Sequence, residues 1–359
     1  MISEKDFITS NFQLLQQASF ECSAPSNIAL IKYWGKKENQ IPANPSISFT
    51  LNHCKTITKV NFTPKKIDTN LSFDFLFEGN PKEDFKPKIL KFLELITVYC
   101  PYLKHYHLSI DTQNTFPHSS GIASSASGMA ALALNIMCLE KQINPSITDD
   151  FFYKKASFLA RLGSGSACRS IKGAVVTWGT NDSFVDSSDF FGVSFEELHN
   201  NFKNFQDTIL LVDKGEKKVS SSVGHNLMVN HPFAENRFKQ AHENLAKITK
   251  ILKEGDLISF IQLVESEALT LHAMMMTSVP YFILMKPNTL EIINKIWSFR
   301  KESFVPVCFT LDAGANVHVL YPDDYKEKVL QFIKSELAVY CENGQYICDY
   351  VGQGATQLK

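Results

Sequence analysis

The sequence predicts a two-domain α+β protein, and three features of its 359 residues carry that expectation. At roughly 150 residues per domain, the chain is long enough for two separate cores. Its first half mixes short alternating apolar segments with a helix rich in small residues; beyond about residue 190, long helices punctuated by strands take over. Between the two patterns lies the polar, loop-like stretch 182–189, which sets a boundary near Ser187 and gives domains 1–187 and 188–359.

In chain order, Leu71, Phe73, Phe75 and Phe77 alternate with Ser72 and Asp74, Tyr106, Leu108 and Ile110 alternate with polar partners, and 174–178 is a compact apolar run. Each reads as a strand. Met129, Ala130, Ala133, Leu134 and Met137 recur at helical spacing within 125–141, which predicts a buried helix with a serine- and glycine-rich entrance. A second helix is expected over 151–162, with Gly163 where a left-handed C′ glycine belongs. Past the boundary come a strand at 208–213 and two long helices. Pro232 fits the first turn of one, which runs through Leu245 and Leu252 to Gly255, and the other starts near Asp256 with Phe260, Val264, Ala268 and Leu271 on one face. Helices at 289–300 and 324–338 and strands at 305–311 and 316–321 complete the second half.

Balanced charge, with 36 Lys+Arg against 37 Asp+Glu, argues against a general nucleic-acid or anionic-membrane binder, whose affinity rests on summed positive charge. The uncharged stretch 268–285 carries His272, Thr277, Ser278 and Pro280 and reads as a buried helix running into a loop rather than a membrane span. The polar start lacks a signal-peptide profile. Eight cysteines without a C-x-x-C pair indicate neither a zinc site nor a redox motif, so a reducing cytoplasm is the simplest location.

Four separated segments carry candidate chemistry. Phe116-Pro-His-Ser-Ser-Gly-Ile-Ala-Ser-Ser-Ala-Ser-Gly128 feeds small residues into a helix start, where unpaired N–H groups and the positive end of the helix dipole would cradle phosphate. It lacks the lysine of a Walker A loop, and its plainer reading is a serine-rich N-cap. Arg161-Leu-Gly-Ser-Gly-Ser-Ala-Cys-Arg169 sets Ser164 and Ser166 just before Arg169, whose planar fork suits a carboxylate or phosphate; otherwise it is a flexible turn beside a surface arginine. The apolar segment 23–35 ends on Lys32, Tyr33 and Trp34, where a buried lysine needs a partner or else snorkels to solvent. In Phe309-Thr-Leu-Asp-Ala-Gly-Ala-Asn316 a strand delivers Asp312 onto a tight turn, as a general base, as an orienting group or simply as a turn former. His105 and His107 share a strand face with no third ligand in view and read as a surface pair.

Together these segments resemble the diphosphomevalonate decarboxylases, members of the superfamily of small-molecule kinases that includes galactokinase, homoserine kinase and mevalonate kinase. The similarity runs from about Ala24 to about Tyr321. Ala24-Pro-Ser-Asn-Ile-Ala-Leu-Ile-Lys-Tyr-Trp-Gly-Lys36 is similar to the family's opening strand, and Pro117 to Gly128 to its phosphate-binding loop. Gly163-Ser-Gly-Ser-Ala-Cys-Arg169 is the most distinctive match, since sibling kinases do not generally carry it; Asp213 to Ser221 and Leu311 to Asn316 match further downstream. The resemblance implies a GHMP-kinase-like fold: an N-terminal domain like domain 2 of ribosomal protein S5, an α+β C-terminal domain, and the active site in the cleft between them.

It also implies ATP- and Mg²⁺-dependent decarboxylation of (R)-5-diphosphomevalonate to isopentenyl diphosphate, with release of ADP, phosphate and CO₂, in the mevalonate pathway of isoprenoid biosynthesis. ATP phosphorylates the tertiary hydroxyl, phosphate leaves an electron-deficient carbon, and loss of CO₂ supplies the electrons of the double bond. In this scheme Asp312 orients or deprotonates the hydroxyl, Lys32 pairs with Asp312 or the reacting phosphoryl group, and Arg169 holds the substrate carboxylate. Ser164 and Ser166 bind near the diphosphate, Tyr33 and Trp34 shape the substrate wall, and Ser220 and Ser221 add diphosphate ligands. The nucleotide falls to Pro117, Ser119, Ser120, Gly121, Ile122, Ala123, Ser124 and Ser125, with Ser124 nearest the metal. Family members are commonly homodimers.

Two segments depart from the family pattern. His118-Ser119-Ser120 stands where Thr-Ala-Ala is often seen, and Asn44-Pro45-Ser46-Ile47-Ser48 stands where Leu-Asn-Ser-Ser-Leu-Ser is more usual. The second bears on which phosphorylated mevalonate is accepted. The competing readings are the same chemistry on the 5-monophosphate, phosphorylation without decarboxylation, and an inert scaffold.

Overall fold

The computed structural model describes residues 3–65, 71–117, 122–215 and 221–359. Its first sheet is built on two long antiparallel strands, β1 (Ala18–Ile31) and β2 (Ser46–Pro64). Next come β3 (Ser72–Phe77), β4 (Asn80–Pro81), α1 (Lys86–Ile96) and β5 (Tyr106–Asn114), then α2 (Ser124–Ile143), α3 (Asp149–Gly163), β6 (Val175–Trp178) and β7 (Val193–Ser194). β2 pairs with β6 along residues 46–49 and with β5 along residues 56–64, so one strand supports both ends of the sheet. The small residues of α2 let it lie close on β1 and β2, and Ala130, Ala133, Leu134 and Met137 are all buried there with Phe20, Val60 and Phe62.

The second half contributes β8 (Gln206–Leu210), α4 (Ser221–Asn226), α5 (Ala234–Glu254), α6 (Leu257–Met276) and α7 (Pro287–Ser303). β9 (Cys308–Leu311), β10 (Val317–Tyr321), α8 (Lys326–Phe332), β11 (Tyr346–Tyr350) and β12 (Thr356–Gln357) follow. A four-stranded antiparallel sheet runs β11-β8-β10-β9, packed on α6 and α7. Both sheets share one apolar layer in which Ile28, Ile47 and Phe49 meet Phe205, Leu245, Phe260 and Val264. β7 and β12 lie beyond Ser187 in sequence yet belong to the first sheet, where Thr356 and Gln357 pair with Ser23 and Cys22 of β1. Asp349 on β11 ties the halves again by accepting the backbone N–H groups of Asn52, His53 and Cys54 at 3.0, 2.8 and 2.7 Å.

Local expectations hold at most element ends. Asp256 caps α6 by accepting from the N–H groups of Ile258 and Ser259, and Gly255 closes α5 with φ +80°. Pro232 falls just outside α5, whose N-cap is Phe233. The helix expected over 324–338 is α8 followed by a π turn, Ile333–Leu337.

Gly163 is a correction. It is the last residue of α3, not a left-handed C′ residue, and Ser164 beyond it is extended. Packing explains the glycine: a Cβ there would sit 2.6 Å from Met129 Sδ and 2.8 Å from Phe92 Cδ2. Replacing Gly163 with Ala is therefore expected to destabilise the protein by about 1–3 kcal/mol through overpacking, read as a lowered midpoint in urea unfolding.

Candidate active site

The four segments converge on one cavity of about 440 Å³. Lys32, Tyr33, Trp34, Ile122, Ala123, Ser124, Ser125, Ser164, Ser166, Arg169 and Asp312 all line it. Pro117 is not among the lining residues. His118, Ser119, Ser120, Gly121 and Ser220 lie outside the described residues, as does the Ser221 side chain.

Lys32 follows directly on β1, and its side chain is 2% exposed against 31% for Asp312, whose Oδ1 lies 3.4 Å from Nζ. The lysine does not snorkel; a carboxylate from the far half of the chain meets it. Burial holds its pKa below the ordinary lysine value, with the charges of Asp312 and Glu267 opposing that shift. Its backbone is clamped on both sides: the N–H donates to Glu267 Oε2 at 2.9 Å, and the C=O accepts from Asn44 Nδ2 at 2.9 Å and from the Arg237 guanidinium at 3.1 Å. Glu267 is itself satisfied by Arg237, at 3.0 and 2.6 Å, and by Asn244 at 2.6 Å. The Asp312 carbonyl accepts from His272 Nε2 at 3.1 Å and from the N–H of Gly314 at 2.8 Å.

Arg169 sits in the 3₁₀ turn Gly165–Ser170 and is 2% exposed, so the flexible-turn reading with a surface arginine fails. Its partners are neutral: Ser48 Oγ at 3.1 Å, Ser46 Oγ, and Asn27 Oδ1 at 3.3 Å, with the guanidinium 5.8 Å from the Trp178 ring. The unusual segment Asn44–Ser48 thus stands behind the site, orienting Lys32 through Asn44 and Arg169 through Ser46 and Ser48. A buried guanidinium whose hydrogen-bond partners among the described residues are neutral oxygens keeps its charge available for an anion in the cavity. Gly165 brings this turn against Tyr33; a Cβ would lie 2.9 Å from Tyr33 Oη and 2.8 Å from Trp178 Cη2. The Tyr33 hydroxyl is buried and has no hydrogen-bond partner among the described residues, and burial raises its pKa, so it stays a neutral donor beside the cavity.

At the start of α2 the N-cap is Ala123, held left-handed at φ 42° with no side-chain cap, so a serine N-cap does not account for this segment. That conformation costs an alanine about 1–2 kcal/mol, and the first helical residues after it, Ser124 and Ser125, line the cavity. Lys88 Nζ reaches Ser125 Oγ at 2.8 Å. A second, apolar cavity of about 180 Å³, lined by Phe75, Phe77, Phe85 and Ile89, shares Lys88, Ser124 and Ser125 with the first. Among the described residues no group of three His, Cys, Asp or Glu side chains is placed to hold a metal ion. His107 instead contacts Ser72 Oγ at 2.6 Å and Asp74 at 3.2 Å. A Mg²⁺ ion, which keeps waters and takes one or two protein oxygens plus phosphate, fits the donors here; a protein-only metal cage does not.

Sequence reasoning missed Arg237, Asn244, Glu267, His272 and His225. Glu267 and His272 did leave a signal, as titratable groups among the apolar residues of α6, but nothing in the sequence shows what they face. His225 Nδ1 accepts the Gly35 N–H at 3.0 Å while its ring lies 4.2 Å from Tyr33 and 4.8 Å from Trp34. Gly224 makes this possible, since a Cβ there would come within 2.4 Å of Trp34 Cη2.

A lysine–aspartate pair, a helix N-terminus and a charge-bearing arginine around one cleft define a site for a phosphorylated acid. Residues 24–190 match the diphosphomevalonate decarboxylase-like N-terminal domain, and residues 208–355 the mevalonate 5-diphosphate decarboxylase C-terminal domain. The diphosphomevalonate decarboxylase of Saccharomyces cerevisiae is 30% identical over 327 residues, covering 87% of this chain and 80% of that protein. The Homo sapiens enzyme is 27% identical over 325 residues, covering 86% and 78%. Among solved structures, one described as MDDEF in complex with MVAPP, AMPPCP and magnesium is 29% identical, with a TM-score of 0.81 over 96% of this chain and 99% of that one. Mevalonate diphosphate decarboxylase from Staphylococcus aureus matches at 28% identity and a TM-score of 0.81, over 96% and 98% of the two chains. The chain belongs to the diphosphomevalonate decarboxylase family.

Burial pushes the pKa of His225 down to about 3, helped by Lys36 and Arg169, and that of His272 down to about 4. Both stay neutral in the folded protein while titrating near 6.5 once unfolded, so between roughly pH 4 and 6.5 the unfolded chain binds more protons. Each contributes stability that is complete above pH 6.5 and lost as pH falls, by about 1.4 kcal/mol per pH unit. Melting temperatures are expected to drop from pH 7 to pH 5, with a shallower drop in His225→Gln; an equal slope in both proteins would contradict the assignment.

Proposed function

We propose that this protein catalyses the ATP- and Mg²⁺-dependent decarboxylation of (R)-5-diphosphomevalonate to isopentenyl diphosphate, releasing ADP, phosphate and CO₂. One observation carries the reading: the Lys32–Asp312 pair and Arg169, a cation with neutral partners, face the same cavity. Phosphoryl transfer alone calls for the first; recognition of a carboxylate that will be lost calls for the second as well. The names of the relatives favour the diphosphate over the monophosphate.

In this reading Asp312 orients or deprotonates the tertiary hydroxyl, and Lys32 keeps Asp312 ionised. Arg169 grips the carboxylate with the guanidinium N–H groups beyond the three that Ser46, Ser48 and Asn27 accept. The Tyr33 hydroxyl, Ser164 and Ser166 donate to the substrate near its diphosphate, and Trp34 walls it in. The α2 N-terminus at Ser124 and Ser125 receives the nucleotide phosphates, and the adjoining Phe75–Phe77–Phe85 cavity suits the purine base. Bound Mg²⁺ neutralises phosphate charge, and Ser124 is the protein oxygen assigned to it.

The reading keeps domains 1–187 and 188–359, with β7 and β12 lent to the first sheet from beyond the boundary. It also keeps a cytoplasmic location, supported by cysteines that are all free, and a homodimer, which light scattering decides. Among the described residues no helix is long and apolar enough to cross a membrane.

With Mg·ATP and diphosphomevalonate the protein is expected to release ADP and CO₂ in equal amounts, and Asp312→Asn to lower both by about 10²–10⁴-fold. ADP without CO₂ would replace the decarboxylase with a kinase, and faster turnover of the 5-monophosphate in a parallel assay would reassign the substrate. Arg169→Lys is expected to raise the substrate KM while leaving ATP binding unchanged, because a point charge cannot reproduce the planar fork.

A further inference from the structure

We infer that α6 positions the reacting pair, with Glu267 holding Lys32 and His272 holding Asp312 as positioning residues for the transfer step. The inference rests on the reaction proposed above, although the hydrogen bonds that support it do not.

The Lys32–Asp312 contact is too long to fix its own geometry. A strong charge-assisted N–H···O bond spans 2.7–2.9 Å, whereas Nζ and Oδ1 are 3.4 Å apart. The two residues come from strand ends in different sheets, β1 and β9. What spans the gap is α6, which packs against both strands.

Glu267 and His272 are five positions apart on that helix. At about 100° and 1.5 Å per residue this turns them roughly 140° from each other and separates them by about 7.5 Å along the axis, so they face different neighbours. Glu267 addresses the end of β1 and accepts the Lys32 N–H; His272 addresses the turn after β9 and donates to the Asp312 carbonyl. Arg237 and Asn244 of α5 satisfy the rest of the Glu267 carboxylate, and Arg237 also donates to the Lys32 carbonyl. A buried carboxylate that accepts four hydrogen bonds, as Glu267 does, is held in place, and a rigid brace converts helix position into catalytic-group position. Neither residue lines the cavity, so neither meets substrate.

The test uses the full chain. His272→Phe keeps a ring of similar size without a donor, and His272→Gln restores a side-chain N–H. Steady-state ADP release is read together with ATP affinity by calorimetry and with melting temperature. The expected result is a kcat lowered about 10–100-fold in His272→Phe, with both KM values and the ATP Kd within about threefold of wild type and kcat largely recovered in His272→Gln. A kcat in His272→Phe within twofold of wild type overturns the inference, as does an equal loss of kcat in both variants. Should His272→Phe fail to fold, Glu267→Asp serves instead: it keeps the charge facing Arg237 but draws the carboxylate back from Lys32, and it must show the same fall in kcat at unchanged KM. If wild type itself does not turn over diphosphomevalonate, the proposed function fails on its own account. The brace is then judged by crystal structures, in which the Lys32–Asp312 separation must lengthen in His272→Phe; an unchanged separation refutes it.

Discussion

A lysine ammonium withdrawn almost wholly from water at the end of β1 sets terms that much of the molecule meets. Such a charge is tolerated only with opposite charge and hydrogen bonds close by. Here the opposite charge is supplied by Asp312, some 280 positions along the chain, and by Glu267 on a helix of the second half. The two sheets must therefore associate for Lys32 to be buried at all. The shared apolar layer of Ile28, Phe49, Phe205 and Phe260, and the Asp349 carboxylate bound to three N–H groups of β2, provide that association.

The same logic extends outward from the cleft. Arg169 and Lys32 are both positioned through the segment Asn44–Ser48, Arg169 by serine hydroxyls and Lys32 by a side-chain amide. At Arg169 the orienting groups are neutral and leave the charge uncancelled. Local positive charge survives for anionic ligands in a protein whose formal net charge is −1.

Much of this was legible in the sequence where chemistry and local pattern coincide. Lys32, Arg169 and Asp312 stood out because each is a charged residue at the end of an apolar or glycine-rich run, and the structure places all three on one cavity. The α2 helix and the Asp256 cap were readable from spacing and residue type. Gly163 was misread because a glycine at a helix end looks the same whether φ or a crowding neighbour demands it; only Met129 and Phe92, distant in sequence, tell the two apart. Glu267 and His272 were missed for a related reason. A polar residue in an apolar helix announces that it has a partner, but the partner is chosen by tertiary packing.

The pairing of β12 with β1 bears on the order in which the molecule is made. Ser23 and Cys22 face Ile57 and Thr58 of β2 on one edge, but their neighbours on the other edge, Thr356 and Gln357, come only at the end of the chain, and Asp312, Glu267 and His272 likewise appear long after Lys32. During synthesis β1 and β2 can pair early, but the lysine next to them has no countercharge until most of the second half has emerged. A nascent chain thus carries a half-built sheet with an open edge and an unpaired cation, a state in which slow elongation or a stall would leave aggregation-prone surface exposed.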